Sequence, residues 1–411
     1  MMTSGRSGAG RWVWRTAILA ALIAAVAALA TPASARRVLP STRSGIHQFT
    51  GIQARISHNF TASELTTIGR TSDIVTGLAV QIHRYGAHMR HANRRLRMFV
   101  YVNGMFAQSD QGSAFPNSWY LHDAGGHKIT SGTHGNYLMN PFSRKRSHGV
   151  RGWAAYVTHK CVVKRREARF ARGCYLDQMS SAGNTEFVSA RPINPRTHRL
   201  FTMRGFMDAV NRVGNAAARR MPIIANSYES GARYYNNSTR RVNRSNMRAF
   251  EAEHWLGATQ PRDAQTLKKW KQNVQMLISA QRHHKGVLVG FGAMSTNLPQ
   301  WQAYVVASML LGNNGHVWVH FDAPGNGPAS WQLNTPLMRA HIGRPLRTAR
   351  KVRGYLKRGV YRRGFSKGLV IVNPTSRTVV VHLRRPARLA TTGQQVTQVT
   401  ATPFSGYVLT R

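Results

Sequence analysis

Eight short apolar runs, most of them followed by a helical pattern or a long loop, constrain this chain more than any other feature. They are His47–Gln53, Asp73–Thr76, Arg97–Asn103, Cys174–Leu176, Met221–Tyr228, Met247–Trp255, Gly286–Gly292 and His316–Asp322. Between them, apolar residues recur at helical spacing over Leu78–Asn93, Pro141–Lys160, Phe201–Arg219, Ala264–His283 and Pro299–Leu311. Thr61 and Glu64 form a capping pair ahead of a further short helix. Strand–helix alternation implies parallel strands joined by right-handed crossovers. Eight such units in one run fit an α/β chain folded as a (β/α)8 TIM barrel better than an open doubly wound sheet. No Gly-x-Gly-x-x-Gly follows any of the strands, so a dinucleotide fold lacks support.

Two connections stand out. Met105–Asn140 is long and rich in Gly, Ser, Asn, His and aromatic residues, and Gly231–Asn246 is a polar stretch rich in Arg and Asn that reads as a loop. Loops of such length within a compact domain are often functional. The character changes after Pro345, where Gly359–Phe365, Gly368–Pro374, Thr378–Leu383 and Gly406–Thr410 read as short strands separated by turns. The expected layout is therefore a signal peptide over 1–35, a flexible lead-in over 36–46, a barrel over 47–345, and a small all-β, sandwich-like antiparallel domain over 346–411.

The signal reading rests on Arg6, Arg11 and Arg15, the apolar run Thr16–Ala30, and Ala33-Ser34-Ala35 as the cleavage pattern. That apolar run is short for a membrane span, and no later stretch is apolar enough to cross a bilayer. The expected destination is outside the cytoplasm, secreted or bound to the cell envelope. There, the only two cysteines, Cys161 and Cys174, suggest a disulfide. Cleavage would remove three Arg and no acid, taking the net charge from +45 to +42. So large an excess favours polyanionic partners, but it is spread along the chain and carries no aromatic-interleaved motif. Charge alone thus argues weakly for nucleic acid. The expected partner is a carbohydrate polymer, anionic polymers included; the rival expectation is a non-catalytic binder of anionic cell-envelope polymer or extracellular nucleic acid, with the barrel as scaffold. No cofactor or metal site is called for: His88 and His91 have metal-like spacing but sit in a basic helix without a carboxylate beside them.

Scarce acids allow an elimination. The chain holds thirteen carboxylates. Glu64, Glu167, Asp208 and Asp263 fall in or beside helices, where capping or solvated pairing accounts for them. Asp73 begins a strand, at the wrong end of a barrel, and Asp110 and Asp123 lie in the long third loop. Glu186 and Glu229 lie in loops on the expected active face. Asp177, Glu251, Glu253 and Asp322 sit on or at the ends of strands four, six and eight. Barrels build active sites from the C-terminal ends of their strands, and cleavage of a glycosidic bond commonly needs two carboxyl groups. Asp177 and Glu253 are the expected catalytic pair. Glu251 shares a strand face with Glu253, so parity cannot separate them, and Glu253 is favoured as nearer the tip. Glu251 would be either a neighbour that raises the Glu253 pKa by like-charge repulsion or a buried partner for one of the many Arg. Asn103, Trp119, Tyr137, Asn226, Tyr228, Glu251, Trp255 and Asp322 are candidate sugar-binding residues, the aromatic ones because their faces stack on pyranose rings.

Five stretches resemble glycosyl hydrolase-like family 15, a TIM-barrel group. They are Trp119–Ile129, Tyr137–Pro141, Gly173–Asp177, Ile224–Asn226 and Glu253–Leu256, within a likeness that covers about residues 45–345. The resemblance implies a glycosidase in which an Asp closes strand four and a Glu closes strand six. These map onto Asp177, as nucleophile or base, and Glu253, as general acid. The chain departs from the pattern at Gln178, where an acid or Asn is usual, and at Glu251, where an apolar residue is usual.

Overall fold

The computed structural model describes residues 39–53, 56–132, 134–185, 187–253, 255–256, 266–291, 299–321 and 334–411. The signal-peptide expectation and the candidate Asp322 lie outside the described residues.

Eight parallel strands close into a barrel in sequential order: β1 (Gln48–Gly51), β2 (Ser72–Gly77), β3 (Arg97–Asn103), β4 (Ala171–Asp177), β5 (Ile223–Asn226), β6 (Ala249–Ala252), β7 (Gly286–Phe291) and β8 (Val317–Phe321). Seven helices are described outside it: α1 (Ala62–Thr71), α2 (Ala79–Ala92), α3 (Trp153–Glu167), α4 (Met203–Ala218), α5 (Gly231–Asn236), α6 (Leu267–Arg282) and α7 (Pro299–Gly312). Among the described residues none is long and apolar enough to cross a membrane.

Local chemistry sets the helix starts. Thr61 and Glu64 form the expected reciprocal cap of α1, with Thr61 N–H donating to Glu64 Oε2 at 2.7 Å. Thr202 and Thr266 cap α4 and α6 by accepting from Gly205 and Lys269 backbone N–H. The expected helix over Pro141–Lys160 begins late, at Trp153. Gly149 and Gly152 have positive φ, and a Cβ on Gly152 would lie 1.9 Å from Ser143 O. The chain therefore makes a small hairpin at 146–151 before it can coil. The stretch read as a loop over Gly231–Asn246 coils instead into α5 and a 3-10 turn, Thr239–Arg244.

Strand parity divides the core into two layers. Val75, Val100, Cys174, Leu176, Ala225, Phe250, Val289 and Val319 pack outward with the helices. Ile74, Phe99, Tyr175, Ile224, Leu288 and Trp318, of the opposite parity, are equally buried and fill the barrel. The Cys161–Cys174 disulfide forms, tying α3 to β4 three residues before Asp177.

The C-terminal region is one six-stranded antiparallel sheet, not a sandwich. Its strands are β9 (Leu356–Lys357), β10 (Val360–Phe365), β11 (Gly368–Asn373), β12 (Val379–Leu389), β13 (Gln395–Ala401) and β14 (Ser405–Thr410), in the order β9-β10-β11-β14-β12-β13. In place of a second sheet, α7 covers it. Gly406 of β14 lies so close to that helix that a Cβ would sit 2.5 Å from Tyr304 Cα. Arg363 of β10 is buried and donates to Leu310 O, Leu311 O and Asn313 O at 2.7–3.0 Å, capping the C-terminus of α7.

Candidate active site

Four polar residues meet where strands three to six end. Register pairs Asn103 of β3 with Asp177 of β4, and Asn226 of β5 with Glu251 of β6. Two residues further, one step past the end of β6, Glu253 stands exposed in a turn. Alternation sends 101 and 103, 175 and 177, 224 and 226, and 251 and 253 to the same side of their strands. That side is the barrel interior, because Tyr175 reaches Glu251 two strands away.

The hydrogen bonds are specific. Asp177 Oδ2 accepts from the Tyr101 hydroxyl at 2.6 Å. Asp177 Oδ1 accepts from Gln178 N–H at 2.7 Å and from Asn226 Nδ2 at 3.0 Å. The same Asn226 nitrogen donates to Glu253 Oε2 at 2.8 Å. A carboxylate offers roughly four lone-pair sites, so Oδ2, with one donor, keeps room for a reacting atom. The Tyr101 hydroxyl also lies 2.8 Å from the Asn103 side-chain oxygen. One phenol proton cannot serve both acceptors, so the Asn103 amide, turned over, would donate to Tyr101.

Beneath this layer Tyr175 donates to Glu251 Oε2, both buried, and the Tyr101 and Tyr175 rings stack at 5.9 Å. Burial first, and then Asp177, pushes the Tyr101 phenol far up. Burial and then Glu251 do the same for Tyr175. Both phenols therefore stay protonated donors at any working pH. Gly290 of β7 leaves the space beside the two glutamates open, since a Cβ there would lie 3.2 Å from Glu253 O and 3.4 Å from Glu251 Oε1.

The other described carboxylates are engaged elsewhere or lie in loops. Asp73 meets His47 at the N-terminal end of the barrel. Asp208 forms a two-toothed pair with Arg241 at 2.7 and 2.8 Å. Glu167 pairs with Lys164. Glu229 accepts from Ser181 N–H and Oγ, tying the loops after β4 and β5 together. Asp110 lies in a 3-10 turn, and Asp123 accepts from His127 N–H in the third loop. Glu186 and Asp263 lie outside the described residues.

Of the expected sugar-binding residues, Asn103, Asn226 and Glu251 come together around Asp177 and Glu253. The four aromatic ones pack elsewhere. Trp119 is fully buried, stacks on Phe115 and donates to Lys145 O, so it is the core of the long third loop. Tyr137 is half-buried against Tyr120 and covers Gly112 in the same loop. Tyr228 is buried and donates to Asn243 under α5. Trp255 is buried and donates to Asn273 O of α6. Loop rings on this face turn inward because the loops need cores of their own. Sequence reasoning missed Tyr101 and Tyr175, although each lies two residues before a chosen residue and so shares its face. Among the described residues no group of three or more His, Cys, Asp or Glu could hold a metal ion.

The model of the hypothetical glycosyl hydrolase family 15 matches residues 101–369, well over half the chain. The chain belongs to that family. The matched span runs from β3 into β11, so it contains all four strand ends that build the site. No curated protein matches the chain. Among solved structures, Eubacterium rectale Amy13B is 8% identical over 91% of this chain and 97% of its own, with a TM-score of 0.50. Two others are a glycoside hydrolase family 30 subfamily 8 xylanase, Xyn30A, from Clostridium acetobutylicum (10% identity, 91% and 97% covered, TM-score 0.43) and an α-amylase from Geobacillus thermoleovorans (10% identity, 88% and 97% covered, TM-score 0.45). At such identity the likeness to Amy13B is one of fold. The family 15 assignment rests on the matched sequence.

Proposed function

We propose that this family 15 chain is an exported glycoside hydrolase that cleaves a poly- or oligosaccharide with retention of configuration, with Asp177 as nucleophile and Glu253 as general acid and then base. The observation that carries the reading is the single Asn226 nitrogen within 3.0 Å of Asp177 Oδ1 and 2.8 Å of Glu253 Oε2. Two oxygens held that close to one atom fall short of the roughly 6.5–9.5 Å separation of inverting pairs and suit the roughly 5–5.5 Å of retaining ones.

In this reading Asp177 Oδ2 attacks the anomeric carbon. Glu253 gives its proton to the departing glycosidic oxygen. Water then enters on the leaving-group side and loses a proton to Glu253 as the glycosyl–Asp177 ester breaks. Tyr101, Gln178 N–H and Asn226 hold the Asp177 carboxylate against rotation, so its position is set before substrate arrives. Export is supported by the Cys161–Cys174 bridge, since such bonds persist in oxidising compartments.

The test is a reducing-end screen on bacterial exopolysaccharides with the wild type, Asp177→Asn and Glu253→Gln. The anomer released first is then read by NMR on any glycan that is cut. Both variants should lose activity, Glu253→Gln by on the order of 10²–10⁴-fold, and the first product should keep the substrate's configuration. Full activity in Asp177→Asn, or inversion, refutes the assignment.

A further inference from the structure

The last acidic residue in the sequence is Asp322; from 346 to 411 there are fourteen Lys and Arg and no Asp or Glu. Part of this charge lines one groove. Among the described residues, Arg347, Thr348, Arg350, Lys351, Arg353, Gly354 and Tyr355 line an open groove of about 640 Å³ at the junction of the barrel and the C-terminal sheet. The four cations are exposed, and among the described residues none meets a carboxylate.

The backbone beneath them is fixed. Ala349 and Val352 are buried. Asn314 exchanges two hydrogen bonds with Ala349, at 2.7 and 3.0 Å, and Val352 N–H donates to Gln275 of α6 at 3.0 Å. Arg347 O accepts from the buried Arg363 at 3.0 Å. Anchors inside and cations outside give a preset row of positive charge, so a polyanion settling on it would not have to order the chain first.

We propose that this groove is a non-catalytic docking site for an acidic polysaccharide, whose carboxylates lie along Arg347, Arg350, Lys351 and Arg353. The choice of a glycan over nucleic acid rests on the glycosidase reading, and on the lack of aromatic rings interleaved with the four cations, which a base-stacking groove would need. Tyr355, half-buried, is the one ring among the described lining residues. Arginine suits the ligand because its planar fork matches a carboxylate with two parallel hydrogen bonds.

The test uses the full chain carrying Asp177→Asn, so that binding is read without cleavage and stands apart from the catalytic proposal. Polygalacturonate is the probe, dextran the neutral control and duplex DNA the rival polyanion, each titrated across a salt series. The groove variant combines Arg347→Gln, Arg350→Gln, Lys351→Gln and Arg353→Gln. A charge control combines Arg384→Gln, Arg385→Gln and Arg388→Gln on β12, which are exposed and outside the groove. Both variants are first shown to fold by their thermal transitions. Polygalacturonate binding that weakens with salt and falls at least tenfold in the groove variant, but less than threefold in the control, supports the site. Equal loss in the two variants, equal binding of dextran, or tighter binding of DNA with the same dependence on the four residues overturns it.

Discussion

Asp177 and Glu253, seventy-six positions apart in the chain, are joined through one side chain: the Asn226 amide donates to an oxygen of each. Two carboxylates this close repel, and the amide dipole between them offsets part of that repulsion. Asn226→Ala removes the bridge and should lower kcat by about 10–100-fold, the size expected for losing hydrogen bonds to charged acceptors. Asn226→Asp should do more, because a third carboxylate disfavours ionisation of its neighbours. Glu253 would then keep its proton to higher pH, and the alkaline limb of kcat/KM should move up. A pH–rate profile of the two variants checks this; an unmoved or lowered limb in Asn226→Asp contradicts it.

Tyr101 and Tyr175 support the acids from below. Tyr101→Phe removes the 2.6 Å donor to Asp177 and should cost about tenfold or more in kcat, with less effect on thermal stability because Gln178 N–H and Asn226 still hold the carboxylate. Tyr175→Phe withdraws a donor from the buried Glu251 and should instead lower stability by about 1–3 kcal/mol. Urea unfolding and steady-state kinetics on the pair separate the two roles. The reverse pattern would mean that the stacked phenols have been assigned the wrong way round.

The disulfide anchors the strand that carries Asp177. Replacing Cys161 and Cys174 by Ser should cost about 3 kcal/mol, the loop-closure value for a bridge of this span. Activity at low temperature should be kept, since β4 is also held on both sides by β3 and β5. Melting curves with and without reductant, on wild type and variant, read the effect. A reductant that leaves the wild-type transition in place would show that the bridge contributes little.

Lys285 makes stability depend on pH. Its ammonium is buried and donates to Ser245 O and Met247 O at 2.6 and 2.9 Å. Burial, and then the like charge of Arg248, lowers its pKa from 10.5 to about 8. Below pH 8 both folded and unfolded chains carry the proton. Between about 8 and 10.5 the unfolded chain binds it and the folded chain releases it, so this site adds stability as pH rises through that window. Lys285→Met lacks the effect. The wild-type advantage in urea midpoint over Lys285→Met should therefore be larger near pH 10 than at pH 7.5, and a constant difference would refute the shift.

Arg363 fastens the C-terminal sheet to the barrel. Arg363→Met strips the end of α7 of its only described charged cap and leaves three carbonyls without that donor. The expected loss is on the order of 3 kcal/mol or more. Calorimetry should show the barrel and the sheet melting together in the wild type and less cooperatively in the variant. An unchanged single transition would mean that the packing of Gly406 on α7 holds the sheet by itself.

The amino-acid order determined the barrel, because apolar runs alternating with helical spacing have few other ways to bury both faces of each strand. It also determined the placement of Asp177, Glu251 and Asn226 at strand ends, since parity and strand polarity are local properties. The strand Gln395–Ala401 was not legible, because four of its seven residues are exposed Thr or Gln and its partner strand carries a register shift. Which rings face solvent was not legible either. Trp119 lies in the long third loop and Tyr228 and Trp255 at the ends of expected strands, yet all three rings turn inward and are buried. Only the closed sheet decided that Tyr175 would reach Glu251 across the interior and that one Asn226 amide would stand between two acids. Both facts depend on strand stagger and on distances between residues far apart in sequence, which no local pattern encodes.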